Sequence, residues 1–574
     1  MSGHTPPARD DSMPAAASPS DIPAGVRGAD ALVAALQAAG VSRVFTLSGN
    51  HIMPVYDALV GSGIELVHTR HEAAAVHMAD AWSRITGEVG VALVTGGPGH
   101  ANAVAALYTA LMAEAPVVLL SGHAPLGQLG QGAFQEMRQA EMAAPACKMA
   151  WTCAGPQEVA NDLARAVRIA RSGRPGPVHL SLPSDALEPR LSRAATLPAE
   201  AFGPVEQALL PAQAQAALDF LAGAQRPLVL AGPACLTRTG RQALHALQNA
   251  CGVPVVGMES PRGIADPALG AFPQVLARCD AVLLLGKRAD FTLGFLSPPR
   301  VAAETRFWQI DPEAAEIART ETAVARRLQG RAVADTKSAL EALTALASGM
   351  GMASACEAAQ GDWRQEVAHA LAFRPPAWDE ATASTPDRLH PVQALRPLQA
   401  LLDRHPDAVF VCDGGEIGQW AQACLRAPHR VVNGVAGSIG SSLPYALAAR
   451  LAVPPEAPVL AVMGDGTVGF HIAEFDTAVR CGAAFVAVVG NDARWNAEYQ
   501  IQLREYGAAR AIGCELAPTR YDQVAAAFGA HGELVDSPQA LPGAVQRALD
   551  SGRPACINVM IEGLAAPSVK APNL

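Results

Sequence analysis

Short apolar runs with strand-type composition alternate along this chain with stretches of helical periodicity, and they do so in three separate blocks. A strand, a helix and a second strand in succession place the two strands parallel, because a parallel connection needs a crossover about as long as a helix. Parallel strands covered on both faces read as near-continuous Val, Leu and Ile runs, and the runs here have that character. The predicted fold class is therefore α/β, with three doubly wound parallel-sheet domains.

The first block spans residues 26–190. Its expected strands are Arg43–Leu47, Glu65–His68, Gly90–Val94 and Pro116–Leu120, with helices near His51–Leu59, Glu72–Thr86 and Ala101–Ala113. The second block, residues 211–349, carries strands at Pro227–Leu230, Ala281–Leu285 and Arg306–Ile310, and Gly349 to His390 reads as a connector. The third block, residues 389–561, carries strands at Ala408–Val411, Pro458–Met463 and Ala484–Val489. A Pro- and Ala-rich start, residues 1–25, is expected to be a disordered arm, and residues 562–574 an irregular tail. The first and third blocks share a layout without a residue-level repeat.

Composition narrows the function classes. The formal charge is -10 and no basic run stands out, which argues against a nucleic-acid partner. The most apolar stretch, Val91 to Leu120, is broken by Gly96, Gly97, Pro98, Gly99 and Glu114, so it reads as buried α/β elements and no membrane association is expected. The 11 cysteines are scattered without a Cys-x-x-Cys, which predicts free thiols and a cytoplasmic location.

The strongest local signal is Gly464-Asp465-Gly466-Thr467, after the strand Pro458–Met463 and before a helix around Ile472–Arg480. The next strand ends at Asn491-Asp492, and Asp492 follows Asp465 by 27 positions. In a βαβ unit both acids stand at the carboxyl ends of adjacent strands, where open α/β sheets bind ligands. Two carboxylates brought together there repel unless a cation lies between them, and oxygen ligands suit Mg2+ bridging to phosphate. The glycines let backbone N–H groups approach a diphosphate. Gly464, Gly466 and Gly469 also satisfy Gly-x-Gly-x-x-Gly, with Asp492 as a ribose-binding acid, which would make this an NAD site. Against that stands Asp465, a carboxylate inside the phosphate loop with no metal to offset it. A plain glycine turn with two solvated acids is the third reading.

A second signal is Arg70-His71-Glu72-Ala73-Ala74-Ala75, where Glu72 opens an apolar helix directly after a strand. Taken alone it is a helix-capping acid. Taken together, Glu72, the Gly464-Asp465-Gly466 loop and the residue 27 positions on resemble the thiamine-diphosphate enzymes, in the branch of acetolactate synthase, benzaldehyde lyase, oxalyl-CoA decarboxylase and 2-hydroxyacyl-CoA lyase. The resemblance spans about Val26 to Ile561, and its three blocks correspond to pyrimidine-binding, middle and diphosphate-binding domains.

The resemblance implies roles. Glu72 matches the glutamate that contacts N1′ of the cofactor's aminopyrimidine. Asp465 matches the first Mg2+ ligand, Asp492 stands where Asn is usual, and the carbonyl of Arg494 is the implied third ligand. Asn496 replaces a common glycine. Ile439, in Gly437-Ser438-Ile439-Gly440, falls where a bulky apolar residue bends the cofactor. Gly414, Gly415 and Glu416 follow Asp413 in the turn that faces the aminopyrimidine and diphosphate, with Gly464, Gly466 and Thr467 in the diphosphate loop. Gln135 and His51 are the implied substrate-facing residues, resembling polar groups of acetolactate synthase and benzaldehyde lyase.

Other features bear on the substrate. Ile501 occupies the position of the substrate-gating Trp of acetolactate synthase. The segments Ile472-Ala473-Glu474-Phe475-Asp476-Thr477 and Arg553 to Val559 are most similar to benzaldehyde lyase. The expected function is a thiamine-diphosphate- and Mg2+-dependent carboligase or lyase of acyloins or 2-oxo acids, working on a small carbonyl substrate as a homodimer or homotetramer. The alternatives are a decarboxylase or lyase of acyl-CoA substrates, an NAD-dependent oxidoreductase, and a catalytically inactive binding protein that keeps the fold. Whether the middle domain holds FAD or ADP is left open.

Overall fold

The computed structural model describes residues 25–191 and 197–572. Almost all of the 1–25 arm therefore lies outside the described residues. Three parallel sheets with helices on both faces form the molecule, as the run pattern predicts, and a short antiparallel pair, Val26–Arg27 with Arg190–Leu191, joins the two ends of the first domain.

The first sheet contains β1 (Arg43–Thr46), β2 (Glu65–His68), β3 (Gly90–Val94), β4 (Val117–His123), β5 (Met149–Thr152) and β6 (Val178–Pro183) in the order β2-β1-β3-β4-β6-β5. The second contains β7 (Pro227–Ala231), β8 (Val255–Gly257), β9 (Ala281–Leu285), β10 (Arg306–Asp311) and β11 (Leu328–Val333) in the order β8-β7-β9-β10-β11. The third contains β12 (Val409–Cys412), β13 (His429–Val432), β14 (Val459–Gly464), β15 (Val486–Asn491), β16 (His531–Val535) and β17 (Ala555–Met560) in the order β13-β12-β14-β15-β17-β16. The first and third sheets thus have the same strand order, and in each it reverses beside the first strand.

One helix begins at the expected residue for a local reason. In α1 (Glu72–Thr86) the His71 side chain caps the start by accepting from the amide of Ala73 at 3.1 Å, and Gly87 ends the helix at φ 78°. The alanines after Glu72 let α1 pack closely on α2 (Pro98–Met112) and on the third domain's Ser442–Ala452 helix. One apolar core, including Val76, Met78, Tyr445 and Phe475, is shared between first and third domains. Tyr445 donates to the buried Asp80 of α1 at 2.5 Å, so the junction is hydrogen-bonded as well as apolar.

Two expectations are corrected. The connector from Gly349 to His390 contains helices Met352–Gln360 and Trp363–Ala372. Trp363, Val367 and Ala370 are buried in the second domain's core, and the Trp363 indole donates to the carbonyl of Pro227 at 2.8 Å. Their spacing of four and three is a helical stripe that the Gly- and Pro-rich flanks obscured. Second, the helix expected around Ile472–Arg480 is present as α4 (Glu474–Arg480), but the glycine loop before it is itself helical, α3 (Asp465–His471), so Gly466 and Gly469 lie within a helical turn. Among the described residues no single helix is long and apolar enough to cross a membrane.

Candidate active site

In an open α/β sheet the crevice for a ligand opens where the strand order reverses. In the first sheet that point lies between β1 and β3. His51 follows β1 and Thr95 follows β3, and His51 Nδ1 lies 3.1 Å from Thr95 Oγ1 across the crevice. Phe134 stacks on the His51 ring at 6.0 Å, and burial lowers the His51 pKa, keeping the ring neutral.

Gln135 adjoins the same loop. A Cβ on Gly97 would lie 2.7 Å from the Cβ of Gln135, so only glycine lets the two segments approach. Gln135 itself has φ 56°, a left-handed conformation unfavourable for a residue with a Cβ. Such strain persists where the surrounding structure imposes it, often at functional sites. Glu72 stands on the other side of the loop. A Cβ on Gly99 would meet its Oε1 at 3.2 Å, and its Oε2 accepts from the Asn102 side-chain amide at 3.0 Å. The structure therefore gathers Glu72, His51 and Gln135 around Thr95–Gly99. The sequence reading missed Thr95, Asn102 and Phe134, none of which carries a local motif.

The third domain repeats the plan. Its order reverses between β12 and β14, and the turns after them are Asp413-Gly414-Gly415-Glu416 and Gly464-Asp465. A Cβ on Gly414 would lie 2.8 Å from Ile439 Cγ2, which brings the Ile439 loop against the first turn. Asp413 is buried and accepts from the amides of Gly440 at 2.9 Å and Ser442 at 3.2 Å, fixing that loop. Burial nevertheless raises its pKa to about 7. Asp413 was read only as part of a motif, and its holding role appears only in three dimensions. A Cβ on Gly466 would strike the Trp495 ring at 2.5 Å. A single cleft is lined by Gly415, Glu416, Ile439, Asp465, Thr467 and Asp492, with Gly464, Gly466 and Arg494 on its wall. Glu416 also pairs with Arg262 of the middle domain at 3.2 Å.

The two acids come together as their spacing requires. Gly464 pairs with Gly490 across β14 and β15, which sets Asp465 and Asp492 side by side just beyond the sheet. Asp465 is almost fully buried and accepts from the amide of Arg494 at 3.2 Å. Burial raises its pKa to about 6. Burial, and then the charge of Asp465, raise Asp492 to about 7. Immediately after Asp492, Ala493 has φ 58°, and its amide is tied to Asn491 Oδ1 at 3.2 Å. Asn496 begins the helix Asn496–Tyr506 and donates to the carbonyl of Leu564 at 3.0 Å, so the residue in place of glycine is accommodated.

Beside the carboxyl ends of the second sheet lies a cavity of about 420 Å³ lined by Glu114, Pro233, Ala234, Thr237 and Thr336, with a buried ion cluster next to it. Arg174 is buried there against Glu114, donates to Asp311 at 2.6 Å and reaches the carbonyl of Gly286 at 3.0 Å. Glu114 accepts from the amide of Ala234 at 2.9 Å, so a nucleotide phosphate at that amide would have to displace a carboxylate.

Two like-ordered sheets, one presenting a helix-opening glutamate and the other paired carboxylates among glycines, define an α/β enzyme built to hold a phosphorylated cofactor. Comparison with known proteins gives the family. Residues 26–142 match the thiamine pyrophosphate enzyme N-terminal TPP binding domain, 214–343 its central domain and 413–559 its C-terminal TPP binding domain. The chain is 34% identical to an acetolactate synthase large subunit of Mycobacterium tuberculosis, over 94% of this chain and 95% of that one. It is 32% identical to the 2-hydroxyacyl-CoA lyase 2 of Homo sapiens, over 93% and 90%. An acetolactate synthase large subunit of Parasynechococcus marenigrum is 28% identical, over 94% and 88%. The chain belongs to the thiamine pyrophosphate enzyme family, and it is a thiamine-diphosphate-dependent carboligase or lyase.

Proposed function

We propose that this enzyme binds thiamine diphosphate through Mg2+ and forms or cleaves the carbon–carbon bond next to a carbonyl in acyloins and 2-oxo acids. The observation that carries the metal is the desolvated pair Asp465 and Asp492, whose repulsion an oxygen-seeking cation relieves. Among the described residues no three His, Cys, Asp or Glu side chains gather as a metal site. The carbonyl of Arg494 and the diphosphate oxygens would complete the coordination. Gly464, Gly466 and Thr467 would line the diphosphate, while Gly414, Gly415, Glu416 and Ile439 would hold the rest of the cofactor. When bound, the cofactor supplies an electron sink that lets a bond beside a carbonyl form or break. Glu72, oriented by Asn102, holds a proton at N1′. His51, neutral and donor-capable, and Gln135 would hydrogen-bond the substrate's hydroxyl or carbonyl oxygen.

The substrate reading rests on Ile501, which is 46% exposed and presents no aromatic gate. We expect kcat/KM for acyloin cleavage to equal or exceed that for pyruvate self-condensation, measured in one buffer with added cofactor and Mg2+. A large preference for pyruvate with acetolactate as sole product would reject this substrate choice. The similarity to 2-hydroxyacyl-CoA lyase supports a second reading, acyl-CoA substrates, and 2-hydroxyacyl-CoA esters belong in the same panel.

For assembly we propose a homodimer, or a tetramer built from it, whose sites combine Glu72 of one chain with Asp465 of another. Phe134 beside the first cluster is 68% exposed and Phe470 beside the second is 54% exposed, apolar surface that a second copy would cover. Glu72→Gln and Asp465→Ala proteins, each inactive, are expected to regain activity when mixed under subunit-exchange conditions. A fully active monomer in sedimentation would refute the shared site. All eleven cysteines are free, which supports a reducing, cytoplasmic setting.

A further inference from the structure

The segment before α1 is neither strand nor helix, yet it must deliver Glu72 to within hydrogen-bond reach of one cofactor atom. Its own domain holds it at Thr69, whose amide donates to the carbonyl of Thr46 at 2.8 Å. The following residues are held from 404 positions away. Glu474, the first residue of α4 and fully buried, accepts from the backbone amide of Arg70 at 2.9 Å and from Thr477 Oγ1 at 2.6 Å. On the same helix, Arg480 donates to the carbonyl of His68 at 2.6 Å. One turn earlier, the His471 ring lies edge-on to His71 at 5.5 Å.

We propose that Glu474 is a positioning residue, fixing the backbone at Arg70-His71 and thereby the carboxyl of Glu72. The inference rests on the assignment of Glu72 to the cofactor made above. Burying a carboxylate is costly, and burial raises the pKa of Glu474. An apolar residue would fill the space at lower cost, but it could not accept from an amide that faces away from any strand or helix partner. The neighbouring Phe475 and Ala478 carry the packing of α4 into the shared core, which leaves Glu474 the hydrogen-bonding role. Its first contact is with the residue two before Glu72.

The test uses the full-length protein loaded with thiamine diphosphate and Mg2+, and reads the exchange of the cofactor's C2 proton for deuterium by NMR without substrate. Glu474→Ala should bind the cofactor with unchanged affinity by calorimetry but exchange roughly 10- to 100-fold more slowly, the scale expected for displacing a reacting group by about an ångström. Glu474→Gln, which keeps an acceptor for the Arg70 amide, should stay within about threefold of wild type on the same scale. Exchange in Glu474→Ala equal to wild type, or Glu474→Gln as slow as Glu474→Ala, would overturn the inference. If Glu474→Ala does not fold, Thr477→Val frees the carboxylate with less disturbance. Slowed exchange in that variant supports the clamp, and unchanged exchange rejects it. Wild-type exchange no faster than that of free cofactor would instead reject the assignment of Glu72, and this inference with it.

Discussion

Asp465→Ala is expected to lose metal-dependent cofactor binding, with affinity falling by more than roughly 100-fold, the upper range for removing even an outer-shell partner of a metal site. Asp465 is almost fully buried, and the carboxylate is held toward the cleft by the Arg494 amide. Its loss would remove one of the two adjacent desolvated carboxylates that a cation between them would need. Asp492→Asn should keep binding within about tenfold, since the amide oxygen still donates to the cation. It also removes the charge that Asp492 must hold beside Asp465. Calorimetry with and without EDTA measures both, and a parallel titration with NAD should show no binding. If Asp492→Asn loses the cofactor as completely as Asp465→Ala, Asp492 is misplaced. Tight, metal-independent NAD binding would return the glycines to the dinucleotide reading.

Glu72→Gln is expected to separate binding from chemistry. The amide is isosteric and can still meet Asn102, so cofactor affinity should be nearly unchanged. It cannot exchange a proton with N1′, and general acid–base help of this kind contributes about 10²- to 10⁴-fold. Turnover should fall by that amount with little change in KM. A Glu72→Gln enzyme with wild-type turnover would reduce Glu72 to a capping residue of α1, whose first turn it occupies.

Much of the fold was legible in the chain. Continuous apolar runs located β3 and β9 at their observed bounds, because a parallel strand buried on both faces must be apolar throughout. The break at Thr86-Gly87 ended α1 where expected, since glycine alone takes the left-handed C-cap without penalty. The 27-residue spacing brought Asp465 and Asp492 together because one βαβ unit fixes both strand ends. Strands that the reading passed over have a different composition. β6 carries His179 and Ser181, and β17 carries Asn558, so their runs look interrupted. The structure buries these positions, and Ser181 Oγ accepts from Gln139 at 2.8 Å. A short-range pattern cannot register a partner that lies 42 residues away.

The sequence by itself determined the α/β class, the three blocks, the bounds of α1 and the approach of Asp465 to Asp492. Those follow from periodicity and spacing within about thirty residues. The tertiary structure alone decided the left-handed backbone at Gln135 and Ala493, the Asp413 anchor under the Ile439 loop, and the burial of Arg174 against Glu114 and Asp311. It also decided the hydrogen bond from Arg70 to Glu474. Each of these depends on which surfaces of distant segments meet. Backbone strain and buried charge are tolerated only where packing from several elements has already fixed the neighbours, and no local propensity encodes that condition.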